Sequence, residues 1–212
     1  KNLIGAFYQP KAVFINTNFL KTLDSKQYKS GLGEVIKYGF IEKSCNSDSE
    51  ENLLNFLYEN HEKILKKEDY IMQNLISSCV KLKIAVVQQD EKESGLRKIL
   101  NYGHTYGHAV EKLTKFNKYT HGECVVEGIK FAVKLATNLN LIAKDYQFLC
   151  NDLIEKYDYK DLKKFPPEKY IPVMTTDKKA TNNFIKFILP TKYGTVEEYD
   201  FTTEELSEIV KS

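Results

Sequence analysis

The chain has no CxxC pair, no glycine cluster and almost no net charge, and each of these absences removes a class of function. Lysine and arginine total 31 against 29 acids in 212 residues, a balance of +2 that is interspersed along the chain. Such a charge is too small and too dispersed to recognise a nucleic-acid backbone. No apolar run approaches the roughly eighteen residues of a membrane span, and no basic-then-apolar leader is present. The four cysteines, Cys45, Cys79, Cys124 and Cys150, stand far apart. Cys79 and Cys124 sit in apolar helical patterns, where a cysteine acts as a small hydrophobe. A reduced, cytoplasmic protein is the economical reading. There is no GxGxxG fingerprint, no internal repeat and no low-complexity segment. The opening "KNLIGAFYQP" starts without methionine and reads as mid-domain sequence, which sets the expectation of a fragment.

What is present is a good-sized core's worth of apolar residues, 42% of the chain against 28% charged. "KAVFINTNFL" (11–20) carries a short β-rich stretch followed by turn chemistry. From about residue 25 the apolar period is helical, with residues 32, 35, 36, 40 and 41 in "SGLGEVIKYGFI". "SEENLLNFLYENHEKILKK" predicts a helix opened by a capping box at Ser49. "EDYIMQNLISSCVKLKIAVVQQDE" predicts a long amphipathic helix with Ile71, Leu75, Cys79, Leu82 and Val86 on one face. Helices are expected over roughly 122–140 and 143–156. "KDLKKFPPEKY" reads as a loop into a short helix. "NNFIKFILPTKYGTVEEYD" reads as two strands joined by a Pro/Gly turn, and "TTEELSEIVKS" as a closing capped helix. The pattern is mainly α with a small β element.

Only four histidines occur, and three of them, His104, His108 and His121, fall within eighteen positions. Arg97, Asn101, His104, His108 and Glu111 are spaced 4, 3, 4 and 3 apart, which on one helix would form a single stripe. Gly103 and Gly107 weaken such a helix by up to about 1 kcal/mol each, yet they let a backbone or ligand approach closely. Imidazole suits zinc, and a catalytic zinc typically keeps three protein ligands and an open position. Spacing alone selects His104 and His108 as an i,i+4 ligand pair, although Thr105, Tyr106 and Gly107 between them exclude HExxH. Glu111 and Glu123 are local carboxylate options and Glu34 a distant one. Lys83, ringed by Cys79, Val80, Val86 and Val87 at helical spacing, either snorkels to water or reaches into a polar pocket. Lys37, three residues past Glu34, is by default a salt-bridge partner. His61 reads as structural.

Taken together, "KNLIGAFYQPKAV", "FLKTL", "GLGEVIKYGFI", "KIAVVQQDEKESGLRKILNYGHTYGHAVE", "HGECVVEG" and "DKK…FILP" resemble the 3-dehydroquinate synthase family, in the family's order from residue 1 to about 190. The resemblance implies a helical, bundle-like C-terminal domain spanning 1–212 that binds metal and substrate. The family's N-terminal NAD-binding α/β domain has no counterpart in this sequence. It implies Glu34, His104 and His121 as ligands of zinc or cobalt, displacing the spacing-based pair, and His108 as a substrate contact. Lys37, Lys83, Arg97 and Asn101 match residues that hold the substrate's carboxylate, hydroxyls and phosphate. Lys1 and Phe19, Leu20, Lys21 and Thr22 match NAD contacts, while Asn2, Lys178 and Lys179 fall in matching motifs. The implied reaction converts 3-deoxy-D-arabino-heptulosonate 7-phosphate to 3-dehydroquinate and phosphate, in the shikimate pathway, with NAD reduced and reoxidised within a turnover. A homodimer is implied for the full-length protein. The rivals are a sugar phosphate cyclase of the 2-deoxy-scyllo-inosose synthase kind and a non-catalytic helical metal-binding domain.

Overall fold

The computed structural model describes residues 8–46, 52–175 and 184–211. Lys1, Asn2, Ser49, Lys178 and Lys179 lie outside the described residues, and with them the roles read for these positions. The β-rich reading of 11–20 is corrected. Val13, Phe14 and Ile15 have no partner strand among the described residues and are 70%, 94% and 53% exposed, and a 3₁₀ turn follows at Thr17–Lys21. Strand propensity reflects fit to a half-buried pleated surface, and no such surface adjoins these residues.

Helix α1 (Ser25–Ile41) starts where the Asp24 carboxylate accepts the Gln27 N–H at 3.0 Å, and it buries Leu32, Ile36 and Phe40 at i, i+4 and i+8. The single helix expected over 49–67 is two, α2 (Leu53–Glu59) and α3 (His61–Leu65). Asn60 divides them: it leaves helical geometry and its side-chain amide donates to the Phe56 carbonyl at 3.1 Å. Asn52 caps α2 through its side-chain oxygen, the role expected of Ser49.

Helix α4 (Asp69–Gln89) buries Ile71, Leu75, Leu82 and Val86 as the pattern predicts. Judged by length and composition alone it could cross a membrane, so the window is more apolar than the sequence reading allowed. Lys81 and Lys83 argue against that use, since a lysine near mid-bilayer costs about 2.5–3.5 kcal/mol, and Ile71, Met72, Leu75, Leu82 and Val86 already face protein.

The histidine segment is not one helix. A 3₁₀ turn, Leu96–Asn101, ends at Tyr102, Gly103 takes a left-handed φ of 78°, and α5 (His104–Leu113) starts afresh. Glycine adopts that φ without strain, so the five-residue stripe is cut after Asn101. Helix α6 (His121–Asn138) opens with the Thr120–Glu123 capping box and is buried on most of its circumference. The helices α7 (Lys144–Lys156) and α8 (Pro167–Thr175) follow.

Strands β1 (Ile185–Lys192) and β2 (Thr195–Phe201) pair antiparallel, Ile185 opposite Phe201. The turn is Tyr193–Gly194, with Gly194 at φ 68°, and Pro190 stands inside β1 at a register shift rather than in the turn. Proline lacks an N–H for the ladder and is tolerated at such irregularities. Helix α9 (Thr203–Lys211) begins with reciprocal Thr202–Glu205 hydrogen bonds. In this mainly helical domain α6 is the central rod, with α1, α5, α7 and β1 packed on it.

Candidate metal and anion site

Three helices each deliver one donor. Glu34 sits mid-way along α1, His104 is the first residue of α5 and His121 the first of α6. The helices come close because glycines lie at their crossings, beside each donor in sequence. A Cβ on Gly33 would stand 2.5 Å from the Gly122 carbonyl oxygen, one on Gly103 2.6 Å from that of Val125, and one on Gly122 would overlap the carbonyl of Ser30.

Glu34 Oε1 lies 3.5 Å from His104 Nε2 and 3.3 Å from His121 Nε2, and all three atoms fall within 4.8 Å of one another. His108 borders the cluster, its ring 5.3 Å from that of His104 and 6.0 Å from that of His121. Lys37, 4% exposed, donates to Glu34 Oε2 at 2.6 Å. Glu34 Oε1 is buried and accepts no hydrogen bond.

The electrostatics follow from these contacts. Burial alone would raise Glu34, but the close His121 ring and the Lys37 charge hold it well below the usual carboxylate range. Burial, then the Lys37 charge, pulls His104 down to about 4, so its imidazole is neutral near pH 7. Its Nδ1 stands 3.0 Å from the Tyr102 carbonyl, which requires the proton on Nδ1 and leaves the Nε2 lone pair facing Glu34. The Glu111 hydrogen bond, then the adjoining Glu34 carboxylate, push His121 up to about 9 against burial.

Two imidazole nitrogens and one carboxylate oxygen, converging with a buried orphan acceptor, fit a divalent metal such as zinc or cobalt. A second set, His108, Glu111 and His121, also lies within ligand range and shares His121. The spacing-based pair of His104 and His108 does not fall together in either set. Glu123 is spent on the capping box, its Oε2 accepting from the Thr120 N–H at 2.7 Å.

Other residues named from sequence are placed apart from this cluster. The Arg97 guanidinium donates to the Glu91 carbonyl at 2.6 Å, and the Asn101 amide to Glu93 Oε1 at 2.9 Å. Arg97 nonetheless lies within electrostatic reach of α1: burial first raises the Tyr38 hydroxyl, and the Arg97 charge opposes it. Lys83 is exposed on α4. Phe19, Leu20 and Lys21 lie in the 3₁₀ turn, which Thr22 caps, and the turn is pinned to the start of α4 through Lys21–Asp69 at 3.1 Å and Lys67 to the Leu20 carbonyl at 2.8 Å. His61 binds the Tyr58 carbonyl at 3.0 Å and is half-buried, away from the cluster, in keeping with its structural reading.

Sequence reasoning missed two features. Asp90 accepts the N–H groups of Ser94, Gly95 and Arg97, which hold its carboxyl down to about 2 and fix the loop that presents Arg97. No spacing rule marks such a loop. The other is Glu111, seen in sequence as a possible ligand but found 2.9 Å from His121 Nδ1.

A helical domain in which three helices bring two histidines and one carboxylate together has a donor set that could hold a metal ion. The family model described as "3-dehydroquinate synthase C-terminal" matches residues 31–180, and that described as "3-dehydroquinate synthase N-terminal" matches residues 1–30. The chain belongs to the 3-dehydroquinate synthase family.

Relatives curated as 3-dehydroquinate synthase include one from Prochlorococcus marinus subsp. pastoris, 40% identical over 96% of this chain and 55% of the relative. Another, from Alkaliphilus metalliredigens, is 41% identical over 98% and 56% respectively. The chain thus spans about half the length of the curated relatives it matches. Among solved structures, 2-epi-5-epi-valiolone synthase from Streptomyces hygroscopicus subsp. jinggangensis, described with NAD+ and Zn2+ bound, superposes with a TM-score of 0.82 at 20% identity. It covers 100% of this chain and 57% of that one. A 2-deoxy-scyllo-inosose synthase, complexed with carbaglucose-6-phosphate, NAD+ and Co2+, gives 0.69 at 24% identity over 100% and 58%. These likenesses show the fold.

Proposed function

We propose that this chain is the metal- and substrate-binding part of a 3-dehydroquinate synthase, a cytoplasmic lyase acting on 3-deoxy-D-arabino-heptulosonate 7-phosphate. The convergence of Glu34, His104 and His121 on one buried, hydrogen-bond-free oxygen carries the reading. These three would hold zinc or cobalt, and Phe19 to Thr22 would form one wall for NAD, with Lys1 and Asn2 beyond the described residues. The bound metal would supply Lewis-acid polarisation of a substrate hydroxyl and NAD the hydride acceptor.

The chain's own residues do the rest. Lys37 keeps Glu34 ionised and oriented through its 2.6 Å contact. His108, one turn along α5 from His104, faces the same cluster and is placed to exchange a proton with a substrate oxygen. Arg97 and Lys83 supply cations for the substrate's carboxylate and phosphate, with Asn101 for a hydroxyl. For this, Arg97 and Asn101 must turn from their present partners at Glu91 and Glu93. Lys178 and Lys179 are assigned to the same anions by motif alone. The domain assignment, with the NAD-holding α/β domain represented in this chain only by the residues 1–30 that the N-terminal family model matches, and a homodimeric whole protein belong to the same proposal.

The fold alone equally accommodates a 2-deoxy-scyllo-inosose synthase-like cyclase, since a structure of that kind covers the whole chain. Phosphate release by the whole protein that carries this chain, with NAD and zinc present, separates the readings. Turnover of the heptulosonate phosphate and not of glucose 6-phosphate is the expected result. The reverse preference selects the cyclase, and release from neither leaves the non-catalytic domain.

A further inference from the structure

We propose that Glu111 is the positioning residue of the metal site: by holding Nδ1–H of His121 it turns the ring's Nε2 lone pair toward Glu34 and His104. The inference rests on the metal reading of those three residues. His121 is the first residue of α6, and its ring lies between two carboxylates, Glu111 at Nδ1 (2.9 Å) and Glu34 at Nε2 (3.3 Å). A neutral imidazole donates from one nitrogen and accepts at the other. Between two carboxylates the metal-free ring can carry both protons. Where a metal ion would take the place of the Nε2 proton, the carboxylate on Nδ1, which can only accept, keeps the proton there and leaves the lone pair on Nε2.

Glu111 is well placed for that task. It stands seven residues after His104 on the same face of α5, and its side chain is 13% exposed, which keeps competing water away. The Tyr102 carbonyl does the same for His104, 3.0 Å from Nδ1. Both histidines therefore present Nε2 to the same Glu34 oxygen, the buried one that accepts no hydrogen bond. In the rival set Glu111 would itself be a ligand with His108 and His121. That arrangement would leave Glu34 Oε1 buried without a hydrogen bond, with His104 Nε2 and His121 Nε2 3.5 and 3.3 Å away and no metal ion to join them. An outer carboxylate also raises the basicity of the imidazole it holds.

Cobalt(II) titration of the chain, followed by its visible d–d bands and by competition with a chromophoric chelator, tests the assignment. Glu111→Ala is expected to weaken cobalt binding by roughly ten- to a hundredfold. It should shift the bands while one metal per chain is still taken up at saturation. Glu111→Gln, which keeps an acceptor oxygen for Nδ1–H, should recover most of the loss, and His108→Ala should bind as wild type does. Circular dichroism reports folding, and if Glu111→Ala loses its helical signal the glutamine variant against wild type carries the test. Wild-type affinity in Glu111→Ala overturns the inference, as does a folded Glu111→Gln no better than alanine. Abolished binding in both His108→Ala and Glu111→Ala makes Glu111 a ligand and overturns it too. A wild-type chain that takes up no cobalt overturns the metal reading itself, and this inference with it.

Discussion

Glu34 has one carboxylate oxygen answered and one unanswered. Oε2 takes the buried Lys37 ammonium at 2.6 Å, while Oε1 has two imidazole nitrogens at 3.3 and 3.5 Å and no hydrogen bond. A buried acceptor without a partner is uncommon in folded proteins, and here it faces two nitrogen donors of metal-ligand type. His108 stands beside this arrangement, and the geometry distinguishes a ligand from a substrate contact. In the whole protein His108→Ala is expected to retain its full metal content by elemental analysis. Its phosphate release should fall by roughly a hundredfold or more, the usual worth of a positioned acid or base. Loss of metal on that substitution would return His108 to the ligand set.

At the scale of elements, the site exists because α1, α5 and α6 approach more closely than side chains permit. Gly122 is the tightest point: any Cβ there runs into the Ser30 carbonyl, which is backbone and cannot swing aside. Gly122→Ala should therefore push α1 and α6 apart, separating Glu34 from His121, and cost about 1–3 kcal/mol of overpacking. Gly31, on the same α1 but exposed, has nothing within 4 Å of a Cβ. Gly31→Ala should instead stabilise by about 0.5–1 kcal/mol through helix propensity. Urea denaturation of the two variants measures the opposite signs. Equal effects would mean that glycine at position 122 serves no close approach.

For the whole molecule, the chain's coverage of about half of its curated relatives frames what it can do unaided. Its helices bury a continuous apolar core, Ile36, Phe40, Leu75, Ile129 and Leu153 being fully enclosed, so it should fold and hold metal alone. The described part of the segment matched by the N-terminal family model, by contrast, leaves Tyr8, Phe14 and Phe19 exposed at 88%, 94% and 76%. One wall of contacts does not hold a dinucleotide against a metal-bound hydroxyl, and hydride transfer depends on that positioning. Isothermal titration of the 212-residue chain should show very weak NAD binding or none, with phosphate release at background. Tight NAD binding would place the cofactor on residues other than those assigned.

The amino-acid order by itself determined the helical class, the apolar faces of α1, α4 and α6, the closing hairpin and the clustering of histidines, because these depend on periodicity and local turn chemistry. Spacing could not determine which histidine nitrogen faces which carboxylate. Glu34 is seventy residues from His104 in the chain and reaches it only because helices cross at Gly33, Gly103 and Gly122. Local pattern even misled at Arg97 and Asn101: Gly103, with its left-handed φ, breaks the helix that would have put them in line with the histidines. Likewise Glu123 looked available until its cap at Thr120 was seen, and spacing gave no sign that the Glu111 carboxylate meets Nδ1 of His121. Side-chain identity along one helix is a one-dimensional property that sequence carries. The meeting of donors from three helices is decided by how closely their backbones can pack.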